Sequence, residues 1–284
     1  MRRLIINADD LGLTSGVNRA IMEGHQQGLI TSATLMANTQ AFDEAIALAK
    51  KTPTLAIGCH VVLVDGIPVT APARIPSLLG RDGSRFRGKL AEFAPAPSKL
   101  DPAQVEEETA AQIRKIQASG VKVSHLDSHK HSHVFPAVTA PVLRAARACG
   151  IAAIRNPFEP AAFGLLKHRP ALWKRYFQVR TLHLLASRFR RQVEAAGLRT
   201  TDGTIGIVAT GSLDQDLFES LIGNLPQGTW EFVCHPGYND AQLQGAGTRL
   251  LESRVRELEI LTSPRSRTLL ERCGIELISY RDLR

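Results

Sequence analysis

Val121-Lys122-Val123-Ser124-His125-Leu126-Asp127-Ser128-His129-Lys130-His131-Ser132-His133 holds four of the chain's nine histidines. Val121, Val123, His125 and Asp127 share one parity, and side chains on a strand alternate between faces with period two. The stretch therefore reads as a strand. If the parity runs on to His129, one face changes along its length from apolar to ligand-bearing. A row of imidazoles with a carboxylate at the carboxyl end of a strand suits a divalent metal or a hydrolytic site.

Working outward, the flanks of this strand are helical. Asp101-Pro102 opens a helix to about Ser119, with Pro at its first position and Gly120 as the stop. After Pro136 a second helix runs to Cys149-Gly150, followed by a strand from Ile151 to Arg155, closed by Asn156-Pro157. Upstream, Arg3 to Ala8 is a strand ending in Asp9-Asp10. Ser15 caps a helix to about Gln27, and Thr31 to Ala37 is a strand ending at Asn38. Phe42 to Lys51 is helical, and Leu55 to Leu63 is a strand containing Gly58-Cys59-His60. Downstream come a basic helical stretch from Phe163 to Ala196, a strand from Thr204 to Thr210 and a helix from Asp214 to Gly223. A strand from Trp230 to Cys234 runs into His235-Pro236-Gly237-Tyr238. A long helix from Thr248 to Arg272 and a last strand from Ile275 to Tyr280 finish the chain.

Strands alternating with helices imply an α/β fold with a parallel sheet. At 284 residues, without an internal linker, a single domain 1–284 arranged as a (β/α) barrel fits at least as well as an open doubly wound sheet. The Pro-, Gly- and Arg-rich stretch at about 64–100 is longer than an ordinary connection and reads as a cover loop over the site.

In both architectures the chemistry sits at the carboxyl ends of strands. Asp9, Asp10, Asn38, His60, the run His125 to His133, Arg155 and His235 all fall there. Asp10 with His60 and His129 makes a two-histidine, one-carboxylate set that leaves positions open for water and substrate. Two adjacent carboxylates on a strand point opposite ways, which frees Asp9 to act as general base. His235, on a far strand, is placed to be the acid. Asn38, His125, Asp127, His131, His133 and Arg155 remain to orient the ligands from behind or to contact substrate. Singly, Asp9-Asp10 reads as a turn or cap, His60 equally as a core histidine or a site residue, and His235-Pro236-Gly237 as a turn. The joint placement of all these residues at six strand ends carries the argument. The ligand types suit Zn or another first-row ion.

Composition bounds the rest. The net charge of +8 belongs to one segment: between Pro160 and Val193 stand eight Lys or Arg and no Asp or Glu, which leaves the remainder balanced. That segment, a basic helical insertion at about 160–196, also holds Phe163, Trp173, Tyr176, Phe177 and Phe189. Trp173, Tyr176 and Phe177 share a face if helical, and basic residues beside aromatics suit anionic headgroups. The four cysteines lack a short-range pairing pattern and read as reduced thiols. No signal-peptide core follows Met1-Arg2-Arg3, and no apolar run reaches the roughly 20 residues of a membrane span. The expected location is cytoplasmic, with peripheral contact at the inner membrane face. A monomer and a homodimer are both compatible with the sequence.

Asn7-Ala8-Asp9-Asp10-Leu11-Gly12, Gly58-Cys59-His60-Val61-Val62-Leu63, the His125 to His133 run and Cys234-His235-Pro236-Gly237 resemble, in order, the signatures of the YdjC-like carbohydrate deacetylases. Ile75-Pro76-Ser77-Leu78-Leu79 with Asp82-Gly83 is similar to that family's cover loop. The resemblance implies an irregular, polysaccharide-deacetylase-like (β/α) barrel and a divalent ion, with Mg2+ favoured. It also implies removal of acetyl from an N-acetylated sugar, with Asp10, His60 and His129 as ligands, Asp9 as base and His235 as acid. Arg175-Tyr176-Phe177, Leu182-His183-Leu184-Leu185 and Thr201-Asp202-Gly203 resemble the branch associated with hopanoid biosynthesis. That branch implies an N-acetylglucosaminyl group on a hopanoid lipid as substrate, soluble chitooligosaccharides being the alternative. Lys130 stands where many relatives carry Gln or His.

Two other classes compete. Metal-dependent phosphoesterases and amidohydrolases usually place His-x-His on the first strand, where this chain has Asp9-Asp10. A non-catalytic basic binding protein that grips nucleic acid would carry a recognition motif, and none is present.

Overall fold

The structure, a computed structural model, describes residues 1–88, 99–160 and 163–283. Strand β1 (Arg2–Leu11) is its axis. Leu4, Ile5, Ile6, Ala8 and Leu11 are wholly buried, as expected of a parallel strand covered on both faces. It pairs in parallel with β2 (Ser32–Leu35) and β6 (Gly228–Cys234), while β7 (Ile275–Ile278) pairs with its first half. The sheet continues through β3 (Ala56–Val61) to β4 (Leu126–Ser128) on one side and to β5 (Gly203–Ile205) on the other.

The two outer strands are joined by the chain between them. Isolated parallel bridges link Leu126 to Ile154 and Ala153 to Arg199, and the Arg155 N–H donates to the Leu126 carbonyl at 2.9 Å. The result is an irregular (β/α) barrel, as expected, with seven strands among the described residues. The strands anticipated at Ile151 to Arg155 and Val121 to His125 are reduced to such bridges and single bonds. Ser124 N–H still reaches the Ile57 carbonyl at 2.8 Å, and Cys59 N–H reaches that of His125 at 2.9 Å. The strand expected over Thr204 to Thr210 stops at Ile205, because Gly206 turns left-handed (φ 94°) and the Glu159 carboxylate takes the N–H groups of Gly206 and Val208.

Helices α1 (Ser15–Gln26), α2 (Phe42–Lys51), α3 (Pro102–Ala118) and α4 (Pro136–Ala148) follow their strands. Thr14, not Ser15, caps α1: its hydroxyl accepts from the Val17 N–H at 3.2 Å. The basic insertion is three short helices rather than one: α5 (Phe163–Leu166), α6 (Trp173–Leu182) and α7 (Ala186–Ala195), with Pro170 opening a tight turn between the first two. After α8 (Gln215–Gly223) and α9 (Ala241–Gly245), the long helix expected over Thr248 to Arg272 is broken at Pro264. It forms α10 (Glu252–Thr262) and α11 (Pro264–Arg272), with Ser263 capping the second.

The cover stretch contains two single-turn helices, Pro72–Arg74 and Pro76–Leu78. It is tied down by the buried Glu108, which accepts from the Val69 and Thr70 N–H groups at 2.9 and 2.8 Å. Its part at 89–98 lies outside the described residues.

Candidate active site

The register between β1 and β2 slips between Ala8 and Leu11, and Asp10 is left-handed (φ 67°). A bulge of this kind re-aims side chains. It corrects the expectation that adjacent carboxylates point opposite ways: Asp9 and Asp10 both face one cleft of about 1150 Å³ at the carboxyl end of the sheet. Each is almost fully buried.

Asp10 Oδ1 stands 3.5 Å from His60 Nε2 and 3.5 Å from His129 Nδ1, is buried and has no hydrogen-bond partner. The three donor atoms lie within 4.8 Å of one another. Tetrahedral donors at the usual bond lengths to a first-row ion, about 2.0–2.2 Å, stand about 3.3–3.6 Å apart. The set therefore fits a small divalent cation. His60 is oriented for this from behind, since its Nδ1 lies 2.7 Å from Asp127 Oδ1; such a carboxylate partner fixes the tautomer that turns Nε2 forward. Ser128 is extended (φ −151°), so the alternation of β4 does carry on to His129. The chain then reverses through left-handed Lys130 and His131.

Behind Asp9 lies Arg155, wholly buried. Its guanidinium donates to Asp9 Oδ2 and Oδ1 at 2.8 and 2.6 Å and to Glu231 Oε1 at 2.8 and 2.7 Å, and stands 2.6 Å from Asp127 Oδ2. Arg155 thus acts from beneath the site and touches no substrate space. Burial pushes the Asp9 carboxyl up, but the Arg155 charge outweighs it and holds it well below the carboxylate range. In the same way Arg254, with His129 and His60, overrides burial at Asp10. His235 Nε2 lies 3.8 Å from Asp9 Oδ2, and its Nδ1 lies 3.9 Å from Glu257 Oε2.

The remaining expected residues separate into two groups. Asn38 and His131 line the cleft; Asn38 Nδ2 donates to the Ile67 carbonyl at 2.7 Å, bracing the cover stretch. His125 and His133 are sealed inside the protein. His125 stacks on Tyr280 with ring centroids 3.7 Å apart, and its Nε2 lies 3.0 Å from Asn7 Oδ1. A Cβ at Gly58 would meet that imidazole at 2.5 Å, which is why β3 carries glycine at this position. His133 spans Ser128 Oγ at 2.6 Å and the Arg155 carbonyl at 3.2 Å.

The sequence did not single out Asn7, Thr34, Glu231, Arg254, Glu257 or Tyr280. Thr34 Oγ1 stands within reach of Asp9, His60 and Asp127, yet nothing in Ser32–Leu35 distinguishes it from an ordinary strand threonine.

The buried ionisable groups dictate a pH optimum of stability for the metal-free chain. Burial holds His133 down to about 3 and His235 down to about 4, and keeps His125 well below its usual value. Such histidines bind fewer protons folded than unfolded, so they withdraw stability as the pH falls below 6.5. Burial lifts Glu159 and Glu257 to about 7. At His60 burial is outweighed by Asp127, which raises the imidazole to about 9. Raised groups lose their contribution as the pH rises, the glutamates towards 7 and His60 towards 9. With His131 also held well below its usual value and Glu231 raised by burial, four histidines outweigh three glutamates on the acid side, and His60 dominates on the alkaline side. The thermal midpoint of chelated protein should therefore peak near pH 6.5, and a midpoint still climbing at pH 9 would show that His60 is not held protonated.

A parallel (β/α) barrel with an Asp-His-His cluster and an Asp-His pair at its carboxyl end defines a class of barrel proteins with a hydrolase-type polar centre. The chain belongs to the YdjC-like protein family, whose profile matches residues 3–272. It is 31% identical over 282 residues to a carbohydrate deacetylase of Brevibacillus brevis, covering 99% of both chains. It is 34% identical over 285 residues to a carbohydrate deacetylase of Geobacillus stearothermophilus, covering 99% of this chain and 98% of the relative. Among solved structures it resembles a proposed cellobiose-phosphate cleavage protein of Enterococcus faecalis, with a TM-score of 0.79 and 28% identity, covering 98% of this chain and 97% of that one.

Proposed function

We propose that the protein is a metal-dependent carbohydrate deacetylase, hydrolysing the acetamide of an N-acetylated sugar. The observation that carries this reading is the convergence of Asp10 Oδ1, His60 Nε2 and His129 Nδ1 beside the Asp9–His235 pair, in a chain alike over nearly its whole length to carbohydrate deacetylases. Asp10, His60 and His129 would hold the ion, Mg2+ by family resemblance or a first-row metal by ligand type. A divalent cation bound there supplies Lewis acidity to the amide carbonyl and acidity to a water.

The chain's own groups handle the proton. Asp9, with both oxygens fixed by Arg155, faces the cleft and accepts the proton of the attacking water. Its low basicity favours rapid onward transfer to His235 Nε2, 3.8 Å away. His235 rests neutral, so it receives that proton before delivering it to the departing amine. Its other nitrogen then points its N–H toward Glu257. One proton thus travels from water to amine as the C–N bond breaks, leaving acetate and a free amino sugar.

The substrate we favour is an N-acetylglucosaminyl group on a hopanoid lipid. Supporting this, α6 borders the cleft through Arg175, Gln178 and Leu182 while exposing Trp173 and Phe177 on its outer face; Leu184 is exposed just beyond. Tyr176 instead turns inward, beside Glu159 and Leu166. No helix of the described residues is long and apolar enough to cross a membrane, so contact would be peripheral, through basic and aromatic side chains. Co-sedimentation with anionic vesicles should be strong and should fall at least about tenfold when Lys174, Arg175, Arg188, Arg190 and Arg191 are neutralised; unchanged binding sinks the membrane reading. A homodimer is compatible with this arrangement.

Acetate release from an N-acetylglucosaminyl lipid and from chitobiose, with and without chelator, tests the function itself. Chelator-sensitive release is expected, faster on the lipid. Faster release from chitobiose selects the soluble oligosaccharide instead, and release of phosphate from phosphoesters without acetate would place the protein among the phosphoesterases.

A further inference from the structure

Arg254, near the start of α10, is 1% exposed and its Nη2 donates to Asp10 Oδ2 at 2.5 Å. Its Nε donates to the Leu250 carbonyl at 3.1 Å, and its Nη1 lies 3.5 Å from the His235 carbonyl. The guanidinium is thus held by the turn that precedes its own helix and spans the ends of β1 and β6. Gly237 belongs to the same device. Its N–H donates to the Arg254 carbonyl at 3.3 Å, and a Cβ there would stand 2.9 Å from Arg254 Cδ. The glycine after His235-Pro236 is what lets the arginine pass beneath the turn.

The two oxygens of Asp10 are consequently unequal. Oδ2 is consumed by Arg254, while Oδ1 is buried, unpartnered and equidistant from the two imidazoles. A carboxylate free to rotate can turn both oxygens to a cation; the Arg254 contact holds this one with Oδ1 facing the imidazoles and Oδ2 on the guanidinium. We propose that Arg254 is a positioning residue that restricts Asp10 to a one-oxygen ligand and so excludes ions that need two-oxygen carboxylates. This rests on the reading of Asp10 as a ligand. Calcium is the ion most affected, because it takes six to eight oxygens and readily binds a carboxylate through both. A site with two imidazoles and a single carboxylate oxygen suits a smaller ion with nitrogen affinity.

The test uses full-length protein stripped with chelator, Mn2+ binding followed by electron paramagnetic resonance, and Ca2+ measured by competition. In Arg254→Met the affinity for Ca2+ relative to Mn2+ should rise at least about tenfold, the scale on which outer partners tune metal affinity. Arg254→Lys, which keeps a cationic donor on Oδ2, should stay near the native ratio. Using a ratio cancels a uniform loss of binding from loosened structure. If the Met variant does not accumulate, Arg254→Gln, too short to reach Oδ2, carries the same expectation. An unchanged ratio in Met or Gln, or a Lys variant that shifts as far as Met, overturns the inference. Asp10→Asn is run in parallel: loss of Mn2+ binding there with an unchanged Arg254→Met ratio defeats only the role of Arg254. Native Mn2+ binding in Asp10→Asn defeats the ligand assignment and the inference with it.

Discussion

Asp9→Asn should reduce acetate release by about 10²–10⁴-fold, the usual contribution of a general base, and leave the ion in place. Asp9 lies outside the Asp10–His60–His129 set; with His60 and Asp127 it forms a second group of close donors, but Arg155 holds both its oxygens, and neither Asp10 nor His129 depends on it for a hydrogen bond. The substitution removes the carboxylate beside His235 Nε2 and little else in shape. Arg155 keeps Asp127 and Glu231 as partners, so the fold should survive. Turnover and metal stoichiometry measured on the same sample decide the matter. Near-native acetate release would show that the water's proton goes elsewhere, His235 being the nearest candidate. Loss of the ion would show that Asp9 ligates.

Arg155→Met should be among the most destabilising single changes in the molecule. Asp9, Asp127 and Glu231 share this one guanidinium, and all four groups are buried. Breaking a buried ion pair by removing one partner costs about 3–5 kcal/mol, because the other charge stays behind unpaired; here three stay behind. In urea unfolding the variant should lose at least that amount, if it accumulates at all. The residual carboxylates would be driven above their ordinary range, so the variant should regain stability as the pH falls toward 5, whereas the parent loses it below 6.5. A variant whose unfolding midpoint matches the parent's would mean that the three acids are not held as anions in the native state. Tyr280, whose hydroxyl donates to Glu231 Oε2 at 2.6 Å, stabilises one of them but brings no positive charge.

Much of the frame was legible because it depends on local chemistry. The buried run Leu4 to Ala8, the alternation of Val121 to His129 and the Pro and Gly stops of α3 and α4 report backbone preferences, which act over a few residues. Breaks were less legible: Pro264 divides α10 from α11 although the charge pattern on either side is continuous, and Ile151 to Arg155 has strand composition but finds a partner strand only at isolated points. At the site, the sequence by itself determined which strand ends carry Asp9, Asp10, His60, His129 and His235. Tertiary structure decided what each of them touches. The bulge that turns both aspartates into one cleft depends on pairing with β2. Arg155 and Arg254 lie about 150 and 240 positions from the aspartates they hold, and no local pattern distinguishes an arginine bound for a buried carboxylate from one bound for solvent. That distinction is one of dielectric and distance, which exist only once the chain has closed around the charges.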